Sequence, residues 1–271
     1  MIYKATELTA NKKYSVLIYS PPGIGKTTLA LSAPDTLLID ADFGMERVEP
    51  SYRGYHIRMA SYQEMLNDIS NAENLKDFKT IAIDTGGALI AYMKEWVIKN
   101  DPKSGQKDGV TLSIAGYGKL RQEFTRLVSY IRTILKKHFV IVFHAKDNSD
   151  GDSIKYVIDV EGSTKADIWK PMDIGGYMEI VSGKREITWG PTERTDGKGT
   201  RGISGRQEIP FLKGQPNTFL TDIFKTMDKQ LDEETALLNK YTDLMTKIKQ
   251  MIENVTDCES ANMAFESIKT M

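Results

Sequence analysis

The sequence is poor in the residues that build metal clusters and covalent cross-links: its 271 residues include one cysteine, Cys258, and three histidines. One cysteine excludes an internal disulfide framework and a cysteine-based zinc site, a composition that a reducing cytoplasm permits. His56 and His138 show no ligand spacing and are assigned to structure. An excess of charge of one sign is also missing. The formal net charge is −1, so the surface is not uniformly basic and any nucleic-acid contact must come from a local patch. No run of about 18 apolar residues occurs, and the opening Met1-Ile-Tyr-Lys-Ala-Thr-Glu7 has no apolar h-region. The expectation is therefore a cytoplasmic protein with no membrane partner. What is present, 40% hydrophobic and 27% charged residues, suits a globular chain with one substantial core.

Short apolar runs punctuate the first 145 or so residues: Val16 to Tyr19, Thr36-Leu-Leu-Ile-Asp40, Thr80-Ile-Ala-Ile-Asp84 and Phe139-Val-Ile-Val-Phe143. Helical patterns separate them, around residues 61–75, through Trp96 and Ile98 after a Gly86-Gly87 turn, and over residues 120–137. Continuous apolar strands alternating with helices predict an α/β fold with a mainly parallel sheet covered on both faces. The fourth run is expected to stop at His144 and to lie beside the third. After it, residues 153–160 alternate like an exposed strand, and a hairpin is expected around Ser182-Gly183, so antiparallel strands extend the sheet. Residues 191–207, with no apolar periodicity, predict a long mobile loop. Leu237, Tyr241, Leu244, Ile248, Met251 and Val255 form one stripe, and Thr256-Asp-Cys-Glu259 reads as a capping box, so the chain is expected to end in a helical hairpin. The predicted organisation is a domain over residues 1–228 and a helical extension over 229–271.

Ser20-Pro-Pro-Gly-Ile-Gly-Lys-Thr-Thr28 follows the first strand and opens a helix. That is the context of a phosphate-binding loop, in which glycines let successive N–H groups face the phosphates, the lysine reaches the β- and γ-phosphates and the hydroxyl binds Mg²⁺. Pro22, Gly23, Ile24, Gly25, Lys26, Thr27 and Thr28 are the expected nucleotide contacts. Ser20 stands where the usual pattern has its first glycine and reads as a tolerated turn residue. Asp84 has the Walker B form, a carboxylate at the end of a buried strand, so Thr27 and Asp84 are the expected Mg²⁺ ligands. The residue after it is Thr85 rather than Glu, which moves the search for a catalytic base to the second strand. There Asp42 is preferred, with Asp40 or Glu46 as alternatives. His144, at the fourth strand's end, is placed to sense the γ-phosphate. Residues 184–206 carry a net of +3. They offer a cation for a neighbouring subunit's site or a contact to phosphate backbone.

The order of these elements, with "VIVFHAK" on the fourth strand, "GYGKLRQEF" in the preceding helix and "KGTRG" in the later loop, resembles the RecA-like P-loop proteins of phages of Gram-positive bacteria. These are often labelled phage nucleotide-binding protein or AAA-type ATPase, and are similar to the Sak group of single-strand-annealing recombinases. The resemblance covers roughly residues 10–225. It implies a RecA-like core that binds ATP and Mg²⁺ between protomers of a ring or filament, acts on single-stranded DNA in recombination or replication, and works inside a bacterial host. By position it implies Lys26, Asp42, Asp84 and His144 as catalytic residues and Arg201, or else Lys198 or Arg194, as the trans-acting cation. A replication or recombination protein is a further implied partner. A regulator or loader switched by nucleotide, or a nucleotide kinase, are the alternative readings.

Overall fold

The computed structural model describes residues 12–148, 154–161 and 164–270. The opening segment and residues 149–153, where the loop after the fourth apolar run and the start of the exposed strand are expected, lie outside the described residues. In chain order the elements are β1 (Ser15–Ser20), α1 (Lys26–Ala30), β2 (Thr36–Asp40), β3 (Tyr55–Arg58), α2 (Tyr62–Ser70), α3 (Ala72–Leu75), β4 (Thr80–Asp84), α4 (Gly86–Asn100), α5 (Ile114–Ser129), β5 (His138–Asp147), β6 (Tyr156–Ile158), α6 (Thr164–Trp169), β7 (Ile174–Val181), β8 (Lys184–Trp189), β9 (Gly205–Glu208), α7 (Phe219–Glu253) and α8 (Cys258–Lys269). Among the described residues the strands form one mixed sheet in the order β3-β2-β4-β5-β1-β7-β8-β9, with β6 paired to β5.

The apolar runs become central strands because both their faces are covered: every residue of β1 and β4 is buried. Leu17, Ile39, Ile81, Ile83, Ile141 and Phe143 join a core that includes Leu89 and Met93 of α4 and Phe124 and Leu127 of α5. Each such side chain contributes roughly 1.5–3 kcal/mol by leaving water. Because β1, β2, β4 and β5 run parallel, their carboxyl ends share one edge. Register then sets Asp40 opposite Asp84 and Ser20 opposite His144. The architecture is an α/β fold with a mostly parallel sheet, flanking helices and C-terminal helices, consistent with a P-loop NTPase core.

Several local expectations change. β3 has no apolar run because it is an edge strand with mainly exposed side chains. β5 does not stop at His144; it continues to Asp147, because β6 supplies partners for Ala145, Lys146 and Asp147. β7 is antiparallel to β8, through a turn in which Ser182 and Gly183 both have positive φ, but is parallel to β1. Gly86 belongs to the first turn of α4, whose cap is the Thr85 hydroxyl accepting from the Ala88 N–H. α5 starts earlier than expected, at Ile114, where the Ser113 hydroxyl accepts from the Gly116 N–H.

The stretch 191–207 is pinned rather than loose. Tyr19 donates its hydroxyl to the Asp196 carbonyl at 2.7 Å, Lys198 exchanges backbone hydrogen bonds with Gly175, and residues from Gly205 onward pair with β8. Its buried anchors are not periodic in sequence, since they are Thr195 and Ile203.

The described chain divides into two units, residues 13–226 and residues 227–270 with Lys12. In the second unit, the stretch expected to form a hairpin is the C-terminal part of α7 followed by α8. The α8 cap sits on Asp257, whose carboxylate accepts from the Ser260 N–H while the Asp257 N–H donates back to the Ser260 hydroxyl. Thr256 and Glu259 are therefore not the capping pair. No helix among the described residues is long and apolar enough to cross a membrane.

Candidate nucleotide site

The loop after β1 turns through Gly23, at φ +80°, and Gly25, at φ +96°. A side chain is disfavoured at both angles. Gly25 precedes α1, and Pro22, Gly23, Gly25, Lys26, Thr27 and Thr28 line a cavity of about 460 Å³. Ile24 is the one residue of the expected binding stretch that does not line it. Asp42, Gly44, Arg47, Asp84, Thr85 and His144 complete the wall, so the carboxyl ends of β2 and β4 and the body of β5 all meet the loop.

Lys26 Nζ donates to the Pro21 carbonyl at 2.9 Å and the Ser20 carbonyl at 3.2 Å, and lies 3.3 Å from both the Ser20 hydroxyl and His144 Nδ1. Burial, only partly offset by Asp84 and Asp42, lowers its pKa. Burial, together with the neighbouring Lys26 ammonium, also lowers that of His144. A neutral imidazole fits this contact, its Nδ1 accepting from Lys26 while Nε2 lies 3.9 Å from Asp42 Oδ2. His144 thus spans the distance from the phosphate-loop lysine to the expected base. Ser20 exceeds the turn role expected of it, because a glycine has no hydroxyl to place beside Lys26.

Thr27 donates its hydroxyl to Asp84. Burial, reinforced by the charges of Asp42 and Asp40, pushes Asp84 up to about 6 despite that bond. A divalent cation fits this corner on the chemistry of its donors, two hard oxygens already in contact. Gly44 keeps the space open: a Cβ there would stand 2.7 Å from Asp84 Oδ2 and 3.3 Å from Thr27 Oγ1. Among the described residues no group of three or more His, Cys, Asp or Glu gathers as a metal cluster. Remaining ligands would be phosphate and water oxygens, the set that Mg²⁺ favours.

The carboxylates after β2 separate by role. Asp40 accepts from the Gly44 N–H at 2.7 Å and the Met45 N–H at 3.2 Å, so both its oxygens fold the loop. Glu46 is exposed and paired with Arg58. Asp42 faces the cavity, 3.3 Å from the Arg47 guanidinium. Of the three candidate bases it is the one on the cavity wall. Arg47 carried no motif signal in the sequence, and Gly44 was legible only as part of a turn.

The later cations do not converge on this cavity within one chain. Arg201 stacks over the Tyr14 ring at 5.6 Å, beside the start of β1 and away from the phosphate edge. Lys198 donates to the Met172 carbonyl, and Arg194 lies over Tyr156 at 5.7 Å. His138 is buried, stacks on Phe224 at 4.3 Å and accepts from the Tyr14 N–H, away from the cavity.

No curated protein matches the chain. A family model described as AAA domain matches residues 12–201, a span that takes in the phosphate loop, Asp42, Asp84 and His144. Domains of this type are generally P-loop ATPases that bind ATP with Mg²⁺. Because the match covers most of the chain, this protein belongs to the AAA domain family.

Proposed function

We propose that the protein binds and hydrolyses ATP with Mg²⁺ as a phage factor in DNA recombination or replication, working as a ring or filament on single-stranded DNA. The observation that carries the ATPase part is the convergence of Lys26, the Thr27–Asp84 pair, Asp42 and His144 on one cavity. The DNA part rests on the resemblance set out above and on the basic stretch that returns through β8 and β9.

In this reading the loop amides and Lys26 hold the phosphates, Lys26 leaving the Ser20 and Pro21 carbonyls for the β- and γ-oxygens. Thr27 and Asp84 hold Mg²⁺, which screens phosphate charge when bound. Asp42 orients water and takes its proton. His144, within reach of both Lys26 and Asp42, senses whether the γ-phosphate is present, and β5 carries that state toward the segment after Asp147. Arg201 is the proposed cation donated to a neighbouring copy.

Steady-state ATP turnover with and without single-stranded DNA tests the reading. Turnover is expected to rise with DNA and to fall at least about 100-fold in Lys26→Ala, the scale on which preorganised charge stabilisation acts. Arg201→Ala is expected to lower turnover at saturating ATP without weakening ATP binding. Phosphate transfer to a nucleoside monophosphate with no response to DNA overturns the DNA role and favours a kinase.

A further inference from the structure

The basic stretch from Lys184 to Arg206 contains one cation set apart from the rest. Lys184 pairs with Glu208 at 2.7 Å, and Arg206 with Glu179 and Glu186 at 3.3 Å each. Arg194, Lys198 and Arg201 have the partners described above. Arg185 has no hydrogen-bond or ion-pair partner for its guanidinium among the described residues, and the residue is partly buried. A guanidinium left without a partner can take an anion through charge-assisted hydrogen bonds.

Its position says which anion. β7 runs beside β1 with Tyr177 opposite Tyr19, and β8 folds back so that Arg185 stands opposite Ile180. That register carries Arg185 past the end of β1 to the phosphate loop, where its Nη1 is 2.9 Å from the point a Cβ on Gly25 would occupy. Arg185 itself lines a second cavity of about 420 Å³, with Thr28 and Leu29 of α1 and with Gln207, Ile209 and Asn217. Thr28 borders both cavities. Asp42, Asp84 and His144 line the first cavity, whereas the second mixes apolar with polar residues, Glu208 and Asp222 among them, and has the size of a small-molecule site. A triphosphate with its γ end at Asp84 and His144 therefore runs past Thr28 and Arg185 into the second cavity.

Resting on the reading of the phosphate-loop cavity as a nucleoside triphosphate site, we propose that Arg185 binds, in cis, the phosphate nearest the nucleoside, and that the cavity beyond it receives ribose and base. Arg185 then serves ATP and ADP alike, unlike a cation that acts on the γ-phosphate from a neighbouring subunit. A side chain at Gly25, already disfavoured by its φ of +96°, would also displace the guanidinium.

Calorimetric titration of the full chain with Mg²⁺ and ATP, ADP or inorganic tripolyphosphate tests this. Arg185→Gln is expected to weaken ATP and ADP by the same factor, about tenfold, as the loss of one charge-assisted contact implies, with Arg185→Lys recovering part of it. Thr218→Trp, at the rim of the second cavity, is expected to weaken ATP and ADP about tenfold while leaving tripolyphosphate unchanged. Melting curves confirm that each variant is folded. Loss of ATP but not ADP affinity in Arg185→Gln, or unchanged affinity for both, overturns the role of Arg185. Equal effects of Thr218→Trp on ATP and tripolyphosphate, or none on ATP, overturn the nucleoside cavity. If the unsubstituted protein binds neither nucleotide, the nucleotide reading itself fails and takes this proposal with it.

Discussion

The strands around the phosphate loop and the helices at the C-terminus are both rich in regularly spaced apolar residues, yet they use them in opposite ways. In β1, β4 and β5, Leu17, Ile83 and Phe139 are fully buried. In α7 beyond Leu231, and in α8, the apolar residues are not buried: Leu237 is 70% exposed, Tyr241 60% and Phe265 65%. No residue of α8 is buried. Hydrophobic periodicity thus specifies that an element forms and which face it presents, but burial requires a partner at the right distance. The same contrast holds for charge, since Asp84 and Lys26 are buried together while the α7 pair Lys229–Glu233 lies in solvent. A surface pair of that kind contributes little.

The contrast can be tested by substitution. The largest expected effect is in the sheet: Phe139→Ala removes a buried ring and should lower unfolding free energy by about 3–5 kcal/mol in a denaturant titration. A loss below about 1 kcal/mol would put β5 on the same footing as the helices.

Asp84→Asn should have a smaller effect of opposite sign. The folded carboxyl titrates near 6 against an ordinary 3.8, so its stabilising contribution is complete below the ordinary value and is lost as pH rises through about 6. The unliganded protein should therefore lose on the order of 3 kcal/mol over that window. Asp84→Asn should remove this slope and be the more stable form at pH 7. Mg²⁺-dependent nucleotide affinity should run the other way, strengthening as pH rises through about 6 and losing that dependence in Asp84→Asn. A flat stability profile in the parent chain would break the argument.

The smallest expected effect is in α7. Leu237→Ala and Tyr241→Ala should each change stability by no more than about 0.5 kcal/mol, because both side chains are already in water. A loss above about 2 kcal/mol from either, measured at two protein concentrations, would show that the stripe is covered in solution.

Much of the phosphate edge could be read along the chain. The loop from Ser20 to Thr28, the strand ending at Asp84 and the strand bearing His144 are local patterns, and parallel strands bring their ends together by rule. Asp42 could be preferred to Asp40 that way, but the role of Asp40 could not be read. Asp40 ends β2 and Asp42 follows it, and only the folded loop shows Asp40 bound to the Gly44 and Met45 amides while Asp42 meets the cavity. β3 escaped detection because an exposed edge strand has no apolar signature, and the end of β5 because its pairing with β6 is a long-range event.

The sequence by itself determined the α/β class, the turn from Ser20 to Gly25 between a strand and a helix and the amphipathic character of the C-terminal helices, since each depends on backbone angles and spacings over a few residues. Only the tertiary structure decided where the cations of the later stretch go. Arg185 and Arg201 look equivalent in the chain, both basic and both in one Gly-rich region. The register of β7 and β8 carries Arg185 to Gly25 at the phosphate edge, while the path of the following loop returns Arg201 to Tyr14 at the start of β1. Local composition sets how much charge a segment holds, and strand pairing between distant residues sets what that charge faces.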